Sequence, residues 1–119
     1  MRKTILTALA FMAVLGGKAQ HRADQQKLDN PESFSMIVLG DPQGYMKYDI
    51  NQPLFELCTA WIADNVDQLN IKSVLCTGDL VETNECITRI RTMVNQTSRE
   101  QWECVSRCFG RLDNKVPYI

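Results

Sequence analysis

Two stretches of the sequence decide the fold: Ser35-Met-Ile-Val-Leu-Gly-Asp41-Pro-Gln43 and Lys72-Ser-Val-Leu-Cys-Thr-Gly-Asp79-Leu-Val-Glu82. Each contains a short apolar run, partly β-branched, that stops at Gly-Asp. Apolar runs of this length that end at a glycine fit strands buried on both faces of a parallel sheet. Ligands of open α/β sheets bind beyond the carboxyl ends of such strands. We therefore expect Asp41 and Asp79 to lie side by side at that edge of the sheet.

A pair of carboxylates at this edge predicts a metal site. Two carboxylates held close together repel each other unless a cation or a proton lies between them. Gln43 follows Asp41 at i+2, and carboxylate and amide oxygens both suit divalent cations. We expect Asp79 to bridge two metals, and Glu82 to accept hydrogen bonds that fix the surrounding loop. A turn or a helix cap is the alternative, because Gly-Asp after a strand serves both purposes.

One helix is predicted between the two strands. Pro53 fits its first turn, with Asn51 or Gln52 near the cap. Strand, helix and strand over residues 34–77 are expected to form a right-handed βαβ unit. The apolar stripe of this helix is formed by residues at helical spacing: Leu54, Phe55, Cys58, Trp61, Ile62, Val66 and Leu69.

A second helix is predicted near Ser98, because Gln101 three residues later completes a capping box. Asp113-Asn114 is expected to end it, and residues 83–97 are ambiguous between a loop and a short helix. The last residues, Lys115-Val-Pro-Tyr-Ile119, resemble the start of a third strand. The apolar face of this second helix is formed by Trp102, Val105, Phe109 and Leu112.

The first residues predict export. Residues 1–19 have a basic start, an apolar stretch from Ile5 to Leu15 and a small-x-small end, the pattern of a secretory signal peptide. The apolar stretch is too short to span a bilayer, so no transmembrane anchor is expected. Residues 20–33 are polar and lack periodicity, which indicates a flexible lead-in. We therefore expect an exported protein, periplasmic, cell-surface or secreted, whose domain begins at residue 34.

The charge balance argues against a nucleic-acid surface. The sequence has 13 basic and 14 acidic residues. Cleavage after Ala19 removes Arg2, Lys3 and Lys18, so the net charge changes from −1 to −4. Domains that bind nucleic acids carry basic patches, and none is evident in this sequence.

Five cysteines lie after the predicted signal peptide, and an odd number leaves at least one thiol unpaired. Cys58 and Cys76 are expected to act as small buried hydrophobic residues. Cys104 and Cys108 lie at i and i+4 with no histidine beside them. Burial is therefore favoured over zinc binding by these thiols.

The two Gly-Asp stretches resemble a known family. Ile37-Val-Leu-Gly-Asp41-Pro-Gln43 is similar to the first block of the calcineurin-like metallophosphoesterases, which is Asp-x-His in most members. Val74-Leu-Cys-Thr-Gly-Asp79-Leu-Val-Glu82 is similar to their second block, Gly-Asp-x-x-Asp or Asn. Gln43 stands in the place of the usual histidine, and Glu82 in the place of the usual Asp or Asn. The resemblance covers residues 34–119.

The resemblance implies an α/β fold, in which this chain is the N-terminal βαβαβ portion of a β-sandwich flanked by helices, an incomplete domain. It implies two divalent metal ions (Fe, Zn, Mn or similar), with Asp41 and Gln43 on the first and Asp79 bridging both. The implied activity is hydrolysis of a phosphoester substrate, a phosphomonoester or phosphodiester. The family's catalytic histidine lies in a Gly-Asn-His block, which we expect beyond Ile119. Residues 1–119 alone are then expected to be inactive.

Two other interpretations stay open. A secreted non-catalytic binding domain with the same scaffold and a decayed metal site would account for Gln43 and Glu82. A phosphotransfer fold with Asp41 as the nucleophile usually needs a second carboxylate at i+2, where this chain has Gln43. The single histidine, His21, lies in the lead-in, where nothing orients it as a ligand.

Overall fold

A computed structural model describes residues 27–89 and 94–119. This part of the chain is mixed α/β, with a two-stranded parallel sheet and three helices. Strand β1 (Ser35–Leu39) pairs with β2 (Ile71–Cys76), and Ile37 lies opposite Val74. The predicted order of strand, helix and strand is therefore observed. The expected sandwich stays a prediction.

The two strands differ in burial. In β2, Ile71 and Val74 are buried in the core. In β1, Ile37 and Leu39 pack against the core, whereas Met36 and Val38 on the opposite face are 53% and 63% exposed. The prediction that both faces are buried is therefore wrong for β1 in the described part of the chain. Alternate side chains of a strand point to opposite faces of the sheet, and the described helices cover only one face of β1.

The first connection contains two helices, whereas the sequence predicted one. A short helix, α1 (Gln43–Met46), is followed by a 3-10 turn (Asp49–Asn51) and by α2 (Gln52–Asn65). Pro53 lies in the first turn of α2, as predicted, where its missing N–H has no helical partner to lose. The core-facing side chains of α2 are Phe55, Thr59, Ile62 and Asn65.

The apolar stripe of α2 is wider than the face it buries. Leu54 and Trp61 are 55% and 39% exposed, and Cys58 is also exposed. The prediction that Cys58 is buried is wrong, because α2 packs through the face that carries Phe55, Thr59 and Ile62, and Cys58 lies outside that face. Cys58, Trp61 and Leu57 instead border an open apolar cleft beside β1.

Helix α3 spans Ser98–Phe109, and its N-cap lies one residue earlier than predicted. Thr97, not Ser98, is the cap: its backbone N–H donates to Glu100 Oε2 (2.8 Å), and its hydroxyl accepts from Glu100 N (3.3 Å). Gln101 is unavailable for capping because it is fully buried and donates to Gln96 O (3.1 Å). Trp102, predicted on the buried face, is 41% exposed. The buried face consists of Gln101, Cys104, Val105, Cys108 and Phe109.

The end of the described chain lies beside β2. Helix α3 passes into a 3-10 turn (Gly110–Leu112), and Asn114 has a positive φ of 60° where the chain reverses. Tyr118 then forms a single parallel bridge with Val74, and Ile119 N donates to Val74 O (3.1 Å). Residues 117–119 thus lie along the edge of β2 that β1 does not occupy, where a third strand was expected.

Several predictions fall on residues that the structure does not describe. The predicted signal peptide at residues 1–19 and His21 lie outside the described residues. So do residues 90–93, which belong to the segment 83–97 that was ambiguous between a loop and a short helix. Over residues 83–89, no helix is present. Among the helices of residues 27–89 and 94–119, none has the length and apolar character needed to cross a membrane.

Candidate metal site at the carboxyl edge of the sheet

The loops that follow β1 and β2 meet at the carboxyl edge of the sheet. The backbone N–H of Gln43, at the start of α1, donates to Asp79 O at 3.0 Å. The backbone N–H of Thr77 donates to Leu39 O at 3.0 Å, which continues the strand pairing by one residue. These two bonds hold the Asp41 and Asp79 segments side by side, in the arrangement that the sequence predicts.

Two polar side chains contact the carboxylates. The Thr77 hydroxyl donates to Asp41 Oδ1 at 2.7 Å, and the Gln43 amide donates from Nε2 to Asp79 Oδ2 at 3.4 Å. Asp41 and Asp79 are exposed to solvent, so an ion or a substrate could reach them from outside. The structure thus brings Asp41, Gln43 and Asp79 together. Thr77 was not singled out from the sequence, although its position before Gly78 at the end of a strand is a usable signal.

The backbone at Asp79 is unusual. Gly78 has a φ of 122° and Asp79 a φ of 44°, both in regions that most side chains avoid. A left-handed conformation disfavours L-residues by about 1–2 kcal/mol, although aspartate and asparagine tolerate it better. Such conformations concentrate at functional sites, where the surrounding structure enforces them. Here the Gln43–Asp79 backbone bond contributes to that enforcement.

Glu82 holds the loop after β2 in place. Its carboxylate forms an ion pair with Lys47 Nζ (3.3 Å), just after α1. Its backbone N–H donates to the buried Gln101 Oε1 (2.9 Å) of α3. Glu82 therefore fixes the loop by joining it to Lys47 and α3.

The donor set at this edge suits hard divalent cations. Two carboxylates and one side-chain amide are oxygen donors of the kind that Mg²⁺, Ca²⁺ and Mn²⁺ prefer. The Gln43 side chain directs Nε2 toward Asp79, so its amide group would have to rotate by about 180° to present Oε1 to an ion. The bonds that Asp41 and Asp79 accept from Thr77 and Gln43 come from neutral groups, which do not compensate the negative charges of the carboxylates.

Comparisons with known proteins define no family. No protein-family model matches the chain, and no solved structure matches it. Over 89 residues, 73% of the chain, the sequence is 32% identical to an uncharacterized protein, YvnB, of Bacillus subtilis (strain 168). The match covers 6% of the length of that relative.

Proposed function

We propose that residues 34–119 contribute metal ligands to an exported phosphoesterase that hydrolyses a phosphomonoester or phosphodiester. The observation that carries this proposal is the meeting of the Asp41 and Asp79 segments, joined by the backbone bond from Gln43 to Asp79. Asp41, Gln43 and Asp79 would hold two divalent ions. Such ions, when bound, polarise a phosphoryl oxygen and lower the pKa of a bound water.

The residues of the chain prepare this site in distinct ways. Asp41 and Asp79 supply negative charge, which two neighbouring cations need because they repel each other. The Thr77 hydroxyl bonds one oxygen of Asp41 and so restricts the orientation of the carboxylate. The ion pair of Glu82 with Lys47 holds the loop after β2 against the end of α1. Preorganised ligands of this kind lose less entropy when an ion binds.

A non-catalytic binding domain is the second candidate, and one observation favours it. The Gln43 amide directs Nε2 at Asp79 Oδ2, so a hydrogen-bond donor faces this carboxylate where a metal ligand was expected. Such a domain could keep the scaffold of the site without holding two ions. The two candidates differ in metal binding and in turnover.

The test compares Asp79→Asn with unchanged full-length protein, folding being checked by circular dichroism. Asparagine keeps the shape of the side chain but removes the charge that offsets cation–cation repulsion. Bound Mn²⁺, measured by equilibrium dialysis, should fall. Hydrolysis of bis(p-nitrophenyl) phosphate should slow by at least about a thousandfold, equivalent to about 4 kcal/mol in the barrier.

The matched control is Asp64→Asn, the same chemical change at an exposed position of α2. It should leave metal content and turnover unchanged. Gln43→Ala should be milder than Asp79→Asn, because water can replace a neutral oxygen ligand. Two metals per chain with near-normal turnover in Asp79→Asn would overturn the assignment. Absence of Mn²⁺ binding and of turnover in the unchanged protein would favour the binding domain.

A further inference from the structure

Two cysteines and a glutamate meet between α2 and α3. Cys104 and Cys108 lie on successive turns of α3 and are 1% and 0% exposed. Their Sγ atoms are 3.9 Å apart. Glu56 of α2 offers a carboxylate oxygen, and this oxygen and both sulfurs lie within 4.8 Å of one another. The sequence favoured burial over zinc binding for these two thiols, and both are buried. It does not show Glu56 beside them, because Glu56 is far from the cysteines along the chain.

The distance between the sulfurs indicates the kind of ion that would fit. Zinc–sulfur bonds of about 2.3 Å at a tetrahedral angle place two sulfurs roughly 3.8 Å apart, close to the observed separation. A disulfide would need the sulfurs at about 2.05 Å. Thiolates select Zn²⁺ and other soft ions over Mg²⁺, Ca²⁺ and Mn²⁺. This donor set is therefore chemically distinct from the oxygen donors at Asp41 and Asp79.

Two arginines contact the carboxylate of Glu56. Arg107 donates to Glu56 Oε1 from Nε (3.0 Å) and Nη2 (2.8 Å), whereas Arg111 makes a longer contact of 3.4 Å to Oε2. The carboxylate is thus oriented by two arginines, and Oε2 has the weaker competitor. The Glu56 side chain is 28% exposed, so this ligand lies at the solvent-facing side of the group.

Binding would leave the net charge of the cluster unchanged. Cysteines bind such a cation as thiolates, so each of the two thiols would release one proton on binding. Without metal, the formal charges of the Glu56 carboxylate and of the Arg107 and Arg111 guanidinium groups sum to +1. A divalent cation that displaces two thiol protons adds +2 while the thiolates contribute −2, so the sum stays +1. No net charge is added to a buried region, which avoids the penalty of an uncompensated ion.

We propose that Glu56, Cys104 and Cys108 form a binding site for a thiophilic divalent cation of the Zn²⁺ and Cd²⁺ class. The ion would join α2 to α3 and stabilise the packing of these two helices. Ligand atoms from two helices make the site dependent on the folded state, so binding stabilises the fold by linkage. This site shares no residue with the proposed phosphoesterase centre and does not depend on that proposal.

Cadmium titration tests the site directly. The metal-free protein, with thiols kept reduced by a phosphine, is titrated with Cd²⁺ while thiolate-to-cadmium charge-transfer absorption is recorded. We expect the charge-transfer absorption to saturate at one thiolate-bound Cd²⁺ per chain, together with a higher melting temperature. Cys108→Ala and Cys104→Ala should each weaken binding by more than about 100-fold, since loss of even an outer-shell partner weakens metal binding by 10–100-fold. Glu56→Gln should weaken binding while leaving the charge-transfer absorption of saturated protein in place.

The control is a variant that changes every other cysteine, Cys58→Ser/Cys76→Ser/Cys86→Ser, and leaves the site untouched. It should retain the full charge-transfer absorption, so the result does not depend on whether the alanine variants fold. Loss of the absorption in this variant would overturn the proposal. So would unchanged protein that binds no Cd²⁺, or that binds it without charge-transfer absorption.

Discussion

Replacement of Asp79 by alanine, asparagine and glycine should separate backbone strain from charge. The residue has a φ of 44° and follows Gly78, whose φ is 122°. The backbone carbonyl of Asp79 accepts from Gln43 N (3.0 Å), a bond that all three substitutions can keep. In the absence of divalent metal, the stability of these variants should therefore follow the preference of each residue for positive φ.

The expected changes in the free energy of unfolding follow from the left-handed conformation of residue 79. Alanine has no polar side chain to support it and should destabilise the fold by about 1 kcal/mol. Asparagine tolerates the conformation as aspartate does, so Asp79→Asn should stay within about 0.5 kcal/mol of the unchanged protein. Glycine relieves the strain but adds about 0.4–1 kcal/mol of unfolded-chain entropy, so its net effect should be close to zero.

The stability of the three variants is measured by thermal unfolding of chelator-treated protein, monitored by circular dichroism. A change of 1 kcal/mol shifts the melting temperature of a small domain by about 4–8 °C, so alanine should fall below the other two variants by that amount. The control is Asp64→Ala, at an exposed position of α2, where alanine is the better helix former and should not destabilise. Alanine as stable as asparagine at position 79 would refute the reasoning, as would asparagine that destabilises as much as alanine.

Two further predictions concern the fold. Hydrogen bonds from Arg89 and the Thr97 backbone lower the pKa of Glu100 to about 2. Its contribution to stability is therefore present above the unfolded pKa of about 4.3 and is lost as the pH falls toward 2. Glu100→Gln should flatten the melting-temperature profile over that range, and an unchanged profile would contradict the assignment. Leu112 is fully buried, so Leu112→Ala should lower the unfolding free energy by about 2–5 kcal/mol in urea titrations, whereas exposed Leu57→Ala should change it far less.

Local sequence patterns predict the elements that position the candidate metal site. The apolar runs before Asp41 and Asp79 become paired parallel strands, and Pro53 lies in the first turn of the helix between them. These features depend on interactions between near neighbours: the alternation of side chains in a strand, and the missing N–H of proline. The meeting of the Asp41 and Asp79 segments follows because parallel strands end at the same edge of a sheet.

Other features depend on packing between distant segments. Thr97 and Ser98 are both acceptable caps, and the burial of Gln101 against Gln96 decides for Thr97. Cys58 has the spacing of a buried residue, yet α2 packs through a narrower face and leaves it exposed.

The sequence by itself therefore determines the strands, the helix between them and the edge at which Asp41 and Asp79 meet. The group of Glu56, Cys104 and Cys108 is decided only by the tertiary structure. The spacing of the two cysteines places them on one face of α3, but it does not identify what lies opposite. Glu56 becomes their neighbour because α2 and α3 pack together, and an oxygen donor from a distant helix leaves no signal in the local pattern around the cysteines.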